Sequence, residues 1–334
     1  MKRKVAILLV FILMASTIFT GCSSSKTQNG DSSEKTKVAL VIAGGLGDRS
    51  FYDSAHEGVE KAKQDLGIEY KVYECRNDAS LYNDQLVQAS QYASIVAVVG
   101  YEFYDVVQEI AKEFPEVYYI YVDNEIEGID NLITISYAEN EGSFLAGALA
   151  AMLTKTNTIG MVGGMDIPVI RNFQVGYEAG AKYINKDIKV ETIFAEDFED
   201  PAKGKECATA IYSRGADIIF QVAGKTGEGV FEAAKEQGKY AIGVDTDQRY
   251  INPDVIVASM VKKVGQSIYD TIIKIQNNEI EKGKVIYYGL KEDGVGLGYG
   301  TDDMKQFVTD DMKAKLDEIK EMIVNGEIEV PTAK

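Results

Sequence analysis

An α/β fold built from two doubly wound parallel sheets is predicted by three features of the sequence. Short, wholly apolar runs of strand length recur along the chain. Each stops at Gly or polar residues and hands over to a stretch with helical spacing, the alternation that gives parallel sheets covered by helices on both faces. The 334-residue length accommodates two such sheets.

The elements follow in order. Val38 to Ile42 is a buried strand that ends at Gly44-Gly45. Ser50 is placed to cap a helix, with Asp53 completing a Ser-x-x-Asp box. Phe51, Ala55, Val59, Ala62 and Leu66 follow at helical spacing, and Gly67 stops the helix. Ile95 to Val99 is a strand, and a helix then runs through Val106, Ile110, Ala111 and Phe114 to Pro115. Strands are expected at Tyr118–Val122 and Leu132–Ile135, with a helix from Phe144 to Leu153. Thr158–Val162 is a strand, and Ile170, Phe173, Tyr177 and Ala181 mark the helix after it. Val190–Phe194, Ile218–Val222 and Ala241–Val244 are strands with helices between. A last helix is expected through Met304 to Val324.

Composition narrows the function. With 46% hydrophobic and 26% charged residues the chain builds ordinary cores. Thirty-five basic against fifty-two acidic residues, a net charge of −17, argues against nucleic acid, whose affinity depends on cations that neutralise phosphate. One His and three Cys leave little material for a His/Cys metal site or a His-based triad. Cys75 and Cys207 are read as buried free thiols, with a disulfide left open.

The N-terminus reads as an address. Lys2, Arg3 and Lys4 precede an apolar run from Val5 to Met14, followed by small and polar residues up to Phe19-Thr20-Gly21-Cys22. This is the layout of a secretory signal peptide, too short for a comfortable membrane span. Its end resembles a bacterial lipobox, which implies cleavage before Cys22 and lipidation of its thiol; Phe19 stands where Leu is usual. Residues 23–36 are Ser, Asn, Gly and charge, a flexible tether.

In open α/β sheets ligands bind beyond the carboxyl ends of the strands. The polar and aromatic segments lie there: 44–51, Tyr101–Phe103, Asp123-Asn124, 163–168, Phe198, 224–227 and 245–248. The glycines at 44, 45 and 47 do not make a phosphate-loop or dinucleotide pattern and read as a tight strand-to-helix turn. Asp166, Asp197, Asp200 and Asp245 are read as scattered solvated acids rather than a metal site. No nucleophile–base pair is visible, so no enzyme, cofactor or metal is expected.

Six motifs in order resemble the basic membrane protein family of bacterial lipoproteins, whose best-known members are purine nucleoside receptors of ABC importers. They are Gly44-Gly45-x-Gly-Asp48-Arg49-Ser50-Phe51, Val162–Pro168, Asp200–Lys205, Gly215–Gln221, Gly224–Gly227 and Gly243–Gln248. The resemblance runs from about residue 37 to 300. It implies a type I periplasmic-binding fold with two lobes, a cleft and a three-strand hinge. It also implies a monomer that binds a nucleoside-like ligand for an ABC permease. Phe51 and Phe198 match the rings that sandwich the base; stacking on an aromatic ring is worth about 1–3 kcal/mol per base. Asp245 and Lys262 match the ribose-binding pair, Gly224 a close backbone approach, and Asp123 an acid near base or sugar.

The departures are local. Relatives that bind nucleosides carry a base-reading acid nine residues before the sandwiching Phe. That position is Ile42 here, followed by Ala43. Gly47 replaces an acid, and Tyr52 stands where Asn is usual. The base is then expected to be read differently, through Asp48, Asn124 or Tyr52, with Phe103 as a further lining ring. Another flat polyol-bearing ligand such as a flavin, and a sensory role with a membrane kinase, are the alternatives. The expected organisation is a signal peptide at 1–21, a tether at 22–36, lobe one at 37–137 plus 260–285, and lobe two at 138–259 plus 286–334.

Overall fold

Two six-stranded sheets, each covered by helices, carry the chain in the computed structural model, which describes residues 35–333. The expected signal peptide and the lipidation site Cys22 lie outside the described residues. The first sheet contains β1 (Lys37–Ile42), β2 (Glu69–Glu74), β3 (Ile95–Val99), β4 (Tyr118–Val122), β5 (Leu132–Tyr137) and β11 (Val285–Tyr288), in the order β2-β1-β3-β4-β5-β11. All its pairings are parallel. The second contains β6 (Thr158–Gly163), β7 (Lys189–Phe194), β8 (Ile218–Val222), β9 (Tyr240–Asp245), β10 (Ile256–Lys262) and β12 (Val295–Gly298). Its order is β7-β6-β8-β9-β10-β12, the same winding. It departs from the expected parallel pairing only at β12, which runs antiparallel to β10.

The helices are α1 (Phe51–Leu66), α2 (Tyr82–Tyr92), α3 (Tyr104–Glu113), α4 (Glu139–Leu153), α5 (Pro168–Ile184), α6 (Pro201–Ser213), α7 (Gly227–Gln237), α8 (Val264–Gln276) and α9 (Asp310–Val324). β1 and β3 are buried along nearly their whole length, as strands covered on both faces must be. β2 sits at a sheet edge, which explains its polar sequence EYKVYE and its half-exposed pattern. α4 begins five residues before the expected Phe144 and is buried through most of its length against α5. Their backbones touch: a Cβ on Gly147 or Gly180 would overlap the carbonyl oxygens of Tyr177 and Phe144. α9 starts at Asp310 rather than Met304, because Thr309 caps it through its side chain to the Met312 amide.

The chain passes between the sheets three times, at 138, at 263 and across 289–294. The second and third passages fall a few residues beyond the expected 260 and 285. β10 stays in the second sheet through Lys262, and β11 pairs with β5 through Tyr288. Backbone bonds tie the passages together: the Ala138 amide donates to Tyr288 at 3.0 Å and the Lys263 amide to Gly294 at 2.9 Å. After the crossing, α8 returns to pack on α1. Both sheets thus aim the carboxyl ends of their strands at one interlobe cleft.

Candidate functional site

The cleft, with its open mouth, takes in about 680 Å³ of space between the lobes. From the first lobe it is lined by Asp48, Phe51, Tyr52 and Asp123, and from the second by Phe198, Gly224 and Asp245, with Lys262 at the hinge. All eight were expected at a site from the sequence.

The loop after β1 is built differently from its expected reading. The Asp48 carboxylate accepts from the backbone N–H groups of Ser50, Tyr52 and Asp53 at 2.9–3.1 Å and so caps α1. Asp53 in turn accepts from the amides of Gly47 and Arg49. Ser50 makes no side-chain cap; its hydroxyl is free to donate across the cleft to Asp245 Oδ2 at 2.5 Å. Asp48 is therefore the cap of α1 as well as part of the lining, and burial pushes its carboxyl up to about 7 against those three donors.

Asp123 and Asp245 occupy corresponding places. One follows β4, the other ends β9, and those strands hold the same position in the two sheets. Both have left-handed backbone, φ 65° and 64°, which turns each side chain out of its sheet. Lys262 Nζ lies 2.6 Å from Asp123 Oδ2. The direct ion pair of Lys262 is thus with Asp123, while Asp245, expected beside it at the sugar, acts on the ammonium through its charge. Phe51, Tyr137 and Phe173 surround the ammonium at 4.8, 5.1 and 5.5 Å from their ring centroids. Burial alone would lower Lys262, but Asp123, Glu139 and Asp245 outweigh it and hold the amine above its ordinary range. Burial raises the Asp245 carboxyl, opposed by Lys262 and Ser50.

Phe198 packs on Gly164, where a Cβ would overlap the ring, and its ring lies 6.5 Å from that of Tyr101. Gly224, at φ 54°, keeps its backbone against the Phe198 carbonyl, which a Cβ would approach to 3.3 Å. The lobes also meet through Glu199, whose Oε1 a Cβ on Gly44 would approach to 2.6 Å, and through Thr246 and Gln248, which donate to the Arg49 carbonyl at 3.1 and 3.0 Å.

Four expected positions fall outside the lining. Ile42 and Ala43 are fully buried at the end of the central strand β1. Phe103 is fully buried against Tyr82, 5.1 Å between centroids, and belongs to the first lobe's core. Asn124 lies beside the cleft without lining it, its Nδ2 buried with no partner among the described residues. Conversely, Phe173 and Glu199 line the cleft and were not singled out, and Tyr101 and Glu102 line it from the expected segment Tyr101–Phe103, of which only Phe103 was named for the site. Their position after β3, β6 and β7 was the available signal. The four acids considered for a metal are used separately: Asp166 pairs with Arg171, Asp197 with Lys203, Asp200 caps α6 and Asp245 meets Ser50. Among the described residues both cysteines are free, Cys75 buried and Cys207 half-buried rather than buried.

The family model for ABC transporter substrate-binding proteins of PnrA-like type matches residues 35–334. The chain belongs to the Bmp family. It is 37% identical to basic membrane protein A of Borreliella burgdorferi, over 98% of this chain and 96% of that one. It is 35% identical to the ABC transporter nucleoside-binding protein BmpA of Lactococcus lactis, over 99% and 100%. A solute-binding protein of an ABC transporter system from Aeropyrum pernix superposes with a TM-score of 0.81 at 26% identity, covering 89% of this chain and 94% of that one. This Bmp-family chain is accordingly an ABC-transporter substrate-binding protein of two parallel-sheet lobes, not an enzyme.

Proposed function

We propose that this protein binds a purine nucleoside in its interlobe cleft and delivers it to an ABC permease, held at the outer face of the membrane by a lipid on Cys22. One observation carries the reading. Phenylalanines from opposite lobes, Phe51 and Phe198, line a cleft whose buried polar atoms without a partner among the described residues, Asp123 Oδ1 and Glu102 Oε2, are both acceptors. Such a site suits a flat aromatic ligand that brings hydroxyl and N–H donors, and a nucleoside supplies both. In this reading Asp123 and Asp245 accept from ribose hydroxyls, Lys262 donates to sugar oxygens, and the two rings stack on the base.

Delivery needs no covalent step. A ligand touching both lobes favours the arrangement in which Ser50 meets Asp245 and Glu199 lies against Gly44, and that shape is what a permease would recognise. Titration calorimetry of purine nucleosides tests the binding. Saturable binding is expected, weakened at least a hundredfold by Asp245→Ala because Ser50 and the sugar both lose a partner. No binding by the unaltered chain, or unchanged affinity in Asp245→Ala, would overturn the reading.

A further inference from the structure

Ile42 and Ala43 offer no polar atom to a bound base, yet a carboxyl does lie against the end of β1. It belongs to Glu102, in the single 3-10 turn Tyr101–Phe103 after β3, the strand beside β1. Gly100, at φ 133°, makes room for it. A Cβ there would come within 2.6 Å of the Ala43 Cβ and 2.7 Å of Glu102 Oε2. Glu102 therefore brings an acid from the neighbouring strand to a place where β1 supplies none.

The environment of this carboxyl is unusual for an acid at rest. Glu102 lines the cleft, and its Oε2 is buried with no hydrogen-bond partner among the described residues. Burial raises its pKa, and only its own backbone N–H opposes that. Its ionisable neighbours include Tyr52, Tyr101 and Tyr121, none of them a cation. The other cleft glutamate, Glu199, already has a cation 3.9 Å away in Lys225. Of the two, Glu102 is the acceptor with capacity to spare. A buried acceptor left unpaired is costly, and a ligand that pairs it is favoured over one that does not.

We propose that Glu102 reads the edge of the base and selects nucleosides with two adjacent N–H donors, the guanine type, over the adenine type. The inference rests on the nucleoside reading above. A carboxylate accepts two parallel N–H bonds, and guanine presents N1–H beside its exocyclic amine. Adenine presents an amine beside the unprotonated N1, whose lone pair would face a carboxylate oxygen. A glutamine at the same place offers one acceptor and one donor, the complement of adenine.

The test is calorimetric titration of the purified full chain and of Glu102→Gln with guanosine and adenosine. The unaltered chain is expected to prefer guanosine at least tenfold, and Glu102→Gln to abolish or invert the preference. A guanosine-to-adenosine ratio that Glu102→Gln leaves unchanged, or an initial preference for adenosine, overturns this inference and leaves the nucleoside reading standing. Binding of neither nucleoside, nor of any other purine nucleoside, overturns both. Should Glu102→Gln fail to fold, the unaltered chain still decides. It is expected to prefer guanosine, and equal affinities for guanosine and adenosine, or a preference for adenosine, overturn the assignment.

Discussion

Lys262 Nζ stands 2.6 Å from Asp123 Oδ2, an ion pair between the last residue of β10 in one lobe and the residue after β4 in the other. The lysine is 2% exposed and ringed by three aromatic side chains. A buried pair is strong evidence of geometry and weak evidence of stability, because both charges lose their water. Breaking it is another matter, since the survivor is left buried and uncompensated.

Asp123→Ala should therefore destabilise the protein by about 3–5 kcal/mol, measured by urea unfolding. Asp245 and Glu139 also act on the lysine, so the loss belongs at the lower end of that range. A midpoint unchanged from the parent would mean that Lys262 reaches water or a substitute acid.

Phe198→Ala should weaken nucleoside binding by about 1–3 kcal/mol, the worth of one stacked base, with the unfolding midpoint nearly unchanged. Gly164→Ala should weaken it too, by displacing the ring that Gly164 supports. The double variant should lose little beyond Phe198→Ala, because one ring mediates both effects. Calorimetric titration of the three variants checks this, and additive losses would separate Gly164 from the ring.

Much of this was legible in the sequence because the central strands are covered on both faces. The runs at 38–42 and 95–99 are apolar throughout and 218–222 is apolar but for Gln221, and a strand of that kind announces itself. β2 was missed because an edge strand shows one face to solvent and reads as polar. β11 and β12 have four residues each, too few for a pattern. At the cleft, eight residues could be named from motifs and strand ends, but not who bonds to whom. Asp123 and Lys262 are 139 positions apart. Whether Asp48 or Ser50 capped α1 was open to two chemically sound answers, and the direction of the Ser50 hydroxyl decided it. Phe103 follows a strand just as Tyr101 does, yet the 3-10 turn buries one and exposes the other.

Thermal stability should fall as pH rises through the neutral range. The folded Asp48 carboxyl titrates at about 7 instead of 3.8, so between those values the folded state holds a proton that the unfolded state has released. The stability it contributes is present at low pH and is lost as pH climbs through the folded pKa, by about 1.4 kcal/mol per unit at most. Burial raises Glu102, Glu199 and Asp245 in the same direction. Melting temperatures at pH 5.5 and 7.5 check the sign. Asp48→Asn, which cannot titrate, should show a smaller difference than the parent, and an equal one would assign the effect elsewhere.

Gly180→Val should destabilise by about 1–3 kcal/mol or more through overpacking. α4 and α5 approach so closely that a Cβ at this glycine meets the Phe144 carbonyl, a backbone atom that no rotamer change can move. Gly326→Ala tests the contrast, since its Cβ would meet nothing; its cost should come only from the left-handed φ of 75°. Urea unfolding should rank Gly180→Val as the more damaging, and the reverse order would mean that the helices separate easily.

The central claim is that the cleft holds a nucleoside, and the most direct measurement asks the protein itself. The full chain, purified without added ligand, is denatured and the released small molecule is identified by mass spectrometry. A purine nucleoside is the expected result, with guanosine-type bases dominant if Glu102 reads the edge. A flavin, or any released ligand without a nucleobase and ribose, would contradict the account.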